Sequence, residues 1–108
     1  MNDSLSALYK TVVERKENKA EGSYTCYLFE KGIDKILKKC GEECSEVIIA
    51  AKNGNNEETV LEISDLLYHL MVLMVDQGIA LEDVMKELDK RSQKTGNLKT
   101  FHQVDKNS

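Results

Sequence analysis

The segment spanning about residues 57–77 limits the possible folds more than any other part of the chain. Val60, Leu61, Ile63, Leu66, Leu67, Leu70, Met71, Val72, Leu73, Met74 and Val75 place apolar side chains around most of its circumference at helical pitch. A surface helix would keep one broad polar face. This one needs neighbours on several sides, so it belongs in the middle of a bundle or at a subunit interface. Its mostly apolar run, 66–75, is about half a membrane span, so no bilayer-crossing helix is expected.

Around it the chain reads as helices joined by short turns. There is no proline, and of six glycines four, Gly22, Gly32, Gly54 and Gly78, fall between periodic segments. A first helix over about 4–18 has Ser4 as cap and a stripe of Leu5, Leu8, Val12 and Val13. A second, over 23–32, is capped by Ser23 and closed by Gly32. Its Tyr, Thr and Phe make a short strand the alternative, but no other segment offers that strand a partner. A third runs over 33–53, with Ile33, Ile36, Leu37, Cys40, Cys44, Val47, Ile48 and Ala51 on one arc of roughly 120°. Gly41 inside it costs about 1 kcal/mol relative to Ala, which suggests a close approach. A last helix over 81–93 should turn Val84, Met85 and Leu88 inward. The expected architecture is all-α, about five helices in one domain over 1–94, with a polar, loosely ordered tail over 95–108.

Composition narrows the partners. Fifteen basic against nineteen acidic residues give a net charge of −4 with no Lys/Arg block, so neither a nucleic-acid duplex nor an anionic membrane is an expected partner. The N-terminus lacks the basic and apolar regions of a signal peptide. Three cysteines without a framework spacing read as reduced thiols in the cytoplasm. Cys40 and Cys44 read as small core residues, because two thiols without a third ligand make a weak metal site.

The polar residues of the two long helices carry the chemistry. On the third helix Glu42, Glu43 and Glu46 share an arc of about 100°, with Lys35 and Lys39 one to two turns earlier. On the fourth, Glu58, Glu62, Asp65, His69 and Asp76 fall in a strip of about 60°, the polar seam of an apolar cylinder. If the Asn53-Gly54-Asn55-Asn56 turn folds the two helices into an antiparallel hairpin, Glu43 and Glu46 face Glu62 and Asp65. Converging carboxylates repel strongly where the dielectric is low, and a divalent cation removes that repulsion. All-oxygen ligation suits a hard ion, Mg²⁺ in particular, which leaves positions for water and phosphate. The same acids could instead be a solvated face carrying surface ion pairs, a reading that fits Glu42 best and Glu62 and Asp65 least. His69, on the same seam, reads as a hydrogen-bonded support behind the ligands.

At these residues the chain resembles the phosphoribosyl-ATP pyrophosphatase family of the all-α nucleoside triphosphate pyrophosphatase superfamily. Glu43, Glu46, Glu62 and Asp65 match the superfamily's Glu-x-x-Glu … Glu-x-x-Asp pattern, with Glu42 completing Glu-Glu-x-x-Glu. Ser23-Tyr24-Thr25, Gly32, Lys38-Lys39-x-Gly41, the stretch from Val47 to Lys52, Asp65-Leu-Leu-Tyr68-His69-Leu, Leu88 and Arg91 narrow it to the family. The similarity covers about 5–94. Cys40 and Cys44 depart from the aliphatic residues or Ala common there, and the tail has no assigned counterpart. These residues offer no match to the cyclohydrolase domain to which this activity is fused in some organisms, so the free-standing form is expected.

The resemblance implies Mg²⁺-dependent hydrolysis of phosphoribosyl-ATP, a step of histidine biosynthesis, by a homodimer whose central helices pack together. Glu43, Glu46, Glu62 and Asp65 would hold the metal. Glu42 and Glu43 are the candidate catalytic carboxylates, Glu42 being either an outer ligand or the acceptor of the attacking water's proton. Lys39, Lys52 and Arg91 are candidate phosphate-binding cations, or else solvated surface charges. Ser23, Tyr24 and Thr25 offer hydroxyls to a phosphate or ribose at a helix start, or else a helix cap. A house-cleaning pyrophosphatase of the same superfamily is the nearest alternative, and a non-catalytic helical interaction module is the alternative outside enzymes.

Overall fold

A computed structural model describes residues 4–93, and the expected tail over 95–108 lies outside them. Five helices follow in order: α1 (Ser4–Glu17), α2 (Tyr24–Lys31), α3 (Ile33–Lys52), α4 (Asn56–Gln77) and α5 (Leu81–Ser92). No strand occurs among the described residues, so the segment after Ser23 is a helix. Its start is capped as its sequence suggests: Ser23 Oγ accepts from the Cys26 N–H at 3.2 Å. Its end meets Gly32 at φ 94° and ψ −175°, a conformation essentially reserved for glycine, and the Gly32 N–H donates to Leu28 O. That turn lets α3 start at once, at an angle to α2. Ser23→Ala should lower the unfolding free energy by about 1 kcal/mol, read as a lower urea midpoint. An unshifted midpoint would mean that the cap contributes nothing.

The centre of the bundle is Val12, Leu28, Ile36, Met71, Val72, Val75 and Leu81, all buried, drawn from all five helices. Leu5, Leu8, Tyr9, Val13 and Met85 pack against it, and the Tyr9 hydroxyl donates to Ile79 O at 2.7 Å, tying α1 to the α4–α5 turn. α4 is the central helix, but only its C-terminal half is enclosed. In the outer hairpin, residues 44–64, Ala50 is the sole buried residue. The hairpin turns at Gly54, φ 71°, and Asn55 Oδ1 then caps α4 by accepting from Glu58 N–H. The molecule is accordingly long, 50 × 33 × 30 Å.

Three expectations change. On α3 the buried line is Ile36, Glu43 and Ala50, not the middle of the apolar stripe. Ile33, Leu37, Cys44, Ile48 and Ala51 lie to one side of it and are exposed, and the acids lie to the other. On α5, Leu81 and Met85 point inward, but Val84 and Leu88 are exposed in the single chain. Gly41 has open space where a Cβ would stand, so close approach within the chain does not explain it. No helix among the described residues is long and apolar enough to cross a membrane.

Candidate metal centre

Two helices that pack along their length bring the acidic seams together just beyond the core. Glu43 stands two turns past Ile36 on the buried line of α3, and is only 6 % exposed. Glu62 and Asp65, one turn apart on α4, face it. One carboxylate oxygen from each of Glu43, Glu62 and Asp65 lies within 4.8 Å of the other two. Glu43 Oε1 and Glu62 Oε1 are out of reach of solvent and have no hydrogen-bond partner. Ionised carboxylates only accept, so a fully ionised cluster leaves both oxygens unsatisfied.

The electrostatics follow from that crowding. The Glu62 carboxyl is pushed up to about 8. Sharing a proton with Glu58 is the largest cause, followed by burial and by the neighbouring Glu46 and Glu43. A proton or a cation is what converts this repulsion into attraction. The donor set fits Mg²⁺: oxygens only, from three carboxylates close enough to share one cation, with an unpartnered oxygen on both Glu43 and Glu62.

Of the cations expected near phosphates, Lys39 is at the cluster, its Nζ 3.2 Å from Glu42 Oε1 and 3.8 Å from Glu43 Oε2. The hydrogen bond to Glu42 raises its pKa. Arg91 is on α5, exposed, with Nε 3.0 Å from Glu87. Lys52 is exposed at the end of α3, nine residues and about 13 Å of helix beyond Glu43. Neither is brought to the carboxylates within one chain.

Behind the acids stands a layer of rings and hydroxyls. His69, 4 % exposed, has Nδ1 2.8 Å from the main-chain carbonyl of Asp65. A carbonyl can only accept, so Nδ1 carries the hydrogen, and in the neutral ring Nε2 then accepts from the Tyr24 hydroxyl at 3.1 Å. Both nitrogens are thereby engaged, and the ring braces the Asp65 turn. The Tyr68 hydroxyl hydrogen-bonds Thr25, and the Tyr68 and His69 rings meet edge to face at 4.9 Å. Burial raises the Tyr24 pKa, partly opposed by Lys39. Of the three hydroxyls expected near substrate, Ser23 is thus a cap, Thr25 is held by Tyr68, and Tyr24 reaches His69.

A sequence model of the phosphoribosyl-ATP pyrophosphohydrolase family matches residues 5–92. The chain belongs to that family. Among its relatives, the phosphoribosyl-ATP pyrophosphatase of Clostridium novyi (strain NT) is 56 % identical over 97 residues, covering 90 % of this chain and 88 % of that one. The enzyme of the same name from Bacillus cereus (strain B4264) is 51 % identical over 105 residues, covering 97 % and 98 %. The histidine biosynthesis bifunctional protein HisIE of Caldanaerobacter subterraneus subsp. tengcongensis is 59 % identical over 90 residues, which span 83 % of this chain and 44 % of that protein. Membership in this pyrophosphohydrolase family makes the chain an enzyme, a hydrolase of a phosphoric anhydride, and sets aside the interaction module. Two contributors were not singled out from sequence as site residues: Glu58, whose position four before Glu62 puts it on the same face, and Tyr68, the partner of Thr25.

Proposed function

We propose that the seam between α3 and α4 binds Mg²⁺ and that the chain uses it, in the cytoplasm, to hydrolyse phosphoribosyl-ATP between its α and β phosphates, yielding phosphoribosyl-AMP and pyrophosphate for histidine biosynthesis. The observation that supports this most is the pair of solvent-excluded, unpartnered oxygens on Glu43 and Glu62, beside Asp65. Bound there, Mg²⁺ supplies charge neutralisation of the triphosphate and a lowered pKa for the attacking water. Glu43, Glu62 and Asp65 hold it, with Glu46, which crowds Glu62, as the fourth ligand. Glu42, outside that triangle and exposed, accepts the water's proton. Lys39 exchanges its two carboxylates for a substrate phosphate. Tyr24 and His69 keep the Asp65 turn in register.

The test of substrate is direct. With Mg²⁺, pyrophosphate release from phosphoribosyl-ATP should exceed that from any member of a dNTP panel by at least tenfold in kcat/KM. Equal or faster turnover of a dNTP would favour the house-cleaning reading instead.

The working unit is a homodimer. Ile48 and Val60 are 64 % and 62 % exposed on the outer hairpin, with Ile49, Leu61 and Ile63 also uncovered, large apolar side chains that a partner chain would cover. Ile48→Glu, on the far side of α3 from Glu42 and Glu46, should turn the dimer into monomers in sedimentation at micromolar concentration. A parent chain that already sediments as a monomer would refute the dimer.

A further inference from the structure

Beside the carboxylates, α2 presents two tyrosines that the core does not use. Tyr24 and Tyr27 are 44 % and 38 % exposed, yet they are held in place. Their rings stack at 6.0 Å and 25°, Tyr24 stacks on Tyr68 at 6.1 Å, and its hydroxyl is bonded to His69. The Lys31 and Lys35 ammonium groups each stand 5.8 Å from the centre of the Tyr27 ring. Lys35, Lys39 and Glu43 follow at four-residue intervals along α3, about 6 Å apart, so one row leads from the proposed metal ligands to this ledge. Rigid exposed rings offer a stacking face to a planar base, and paired lysines above one ring offer charge to a phosphate.

We propose that this ledge receives the phosphoribosyl-adenine end of the substrate: Tyr24 and Tyr27 stack the purine, and Lys31 and Lys35 pair with the phosphate on the second ribose. The inference rests on the metal reading of the seam, because the triphosphate must lie at Glu43, Glu62 and Asp65 for the other end to reach α2. It also accounts for substrate choice. An ordinary nucleoside triphosphate has no phosphate beyond its base, and the acidic seam would repel a second phosphate unless cations stood where it lands. Lys31 and Lys35 are then specificity-determining residues.

The experiment compares phosphoribosyl-ATP with ribosyl-ATP, the same molecule lacking the terminal phosphate. The parent should prefer phosphoribosyl-ATP at least tenfold in kcat/KM. In the double variant Lys31→Gln/Lys35→Gln that preference should fall towards one, with the loss mainly in KM. The double variant Lys31→Arg/Lys35→Arg should recover most of it, which a fold defect would not permit, and Tyr27→Ala should raise KM for both substrates. A Gln variant that keeps the parent's preference overturns the proposal. Glu62→Gln assayed alongside separates the two readings. If it is inactive while the Gln variant still discriminates, only the ledge fails; if it is fully active, the metal reading fails and the ledge with it.

Discussion

Glu62→Gln is expected to release pyrophosphate from phosphoribosyl-ATP at least tenfold more slowly than the parent, a loss of about 1.4 kcal/mol or more in transition-state stabilisation. Gln keeps the shape of Glu and removes the charge, so the variant asks what the charge does. Glu62 is crowded by Glu58, Glu46 and Glu43, and its inner oxygen has no partner. A structural carboxylate in that position would be a defect, because an unpaired buried acceptor lowers stability. Removing it should therefore leave the metal-free protein as stable as the parent or more so, while activity falls. Glu43→Gln should behave likewise in activity, and it also deprives Lys39 of one of its two carboxylates. Parent-like rates in both variants would remove the metal from the mechanism. A large loss of metal-free stability in Glu62→Gln would mean that the carboxylate is a structural element.

The carboxylate cluster was more legible in the sequence than its surroundings, for a physical reason. Helical pitch fixes which residues of one helix share a face, so Glu62, Asp65 and His69 could be placed on one strip from spacing alone. The Asn-Gly turn then made α3 and α4 antiparallel neighbours, and the structure brings Glu43 to Glu62 and Asp65. Pitch does not say how far a helix is rotated about its own axis against its neighbour. On α3 that rotation turns Glu43 into the buried line and leaves Leu37 and Ile48 in the open. The stripe centred on Cys40 and Cys44 was a true apolar face, but one the single chain only half covers. The same holds for Val84 and Leu88 on α5. Ser23 and Gly32 were readable because capping and positive φ are local demands met within four residues. Contacts across distant segments, Tyr24 with His69 and Thr25 with Tyr68, leave no such local signature.

The metal-free protein should lose stability as pH rises from about 4.5 to about 8, and Mg²⁺ should restore it. Glu62 is raised from an ordinary 4.5 to about 8. Between those values the folded chain keeps a proton that the unfolded chain has released. Raising the pH draws that proton away and favours the unfolded state, so the stabilisation is complete below about 4.5 and gone above about 8. Glu62→Gln cannot release this proton, and its melting temperature should be flatter across the same window. Mg²⁺ needs the deprotonated carboxylate, so its effect should grow as pH climbs and be greatest above 8. At a concentration a hundredfold above its Kd it adds about 2.7 kcal/mol, which for a domain of this size is roughly 10–20 °C in Tm. Thermal melts at pH 5, 7 and 9, with EDTA or with Mg²⁺, check both slopes together. A metal-free Tm that climbs between pH 5 and 9, or a Mg²⁺ shift that shrinks over that range, would show that the proton and the cation do not compete for the same oxygens. Competition is what the geometry requires: a proton bound at Glu62 sits among the oxygens that the cation must take.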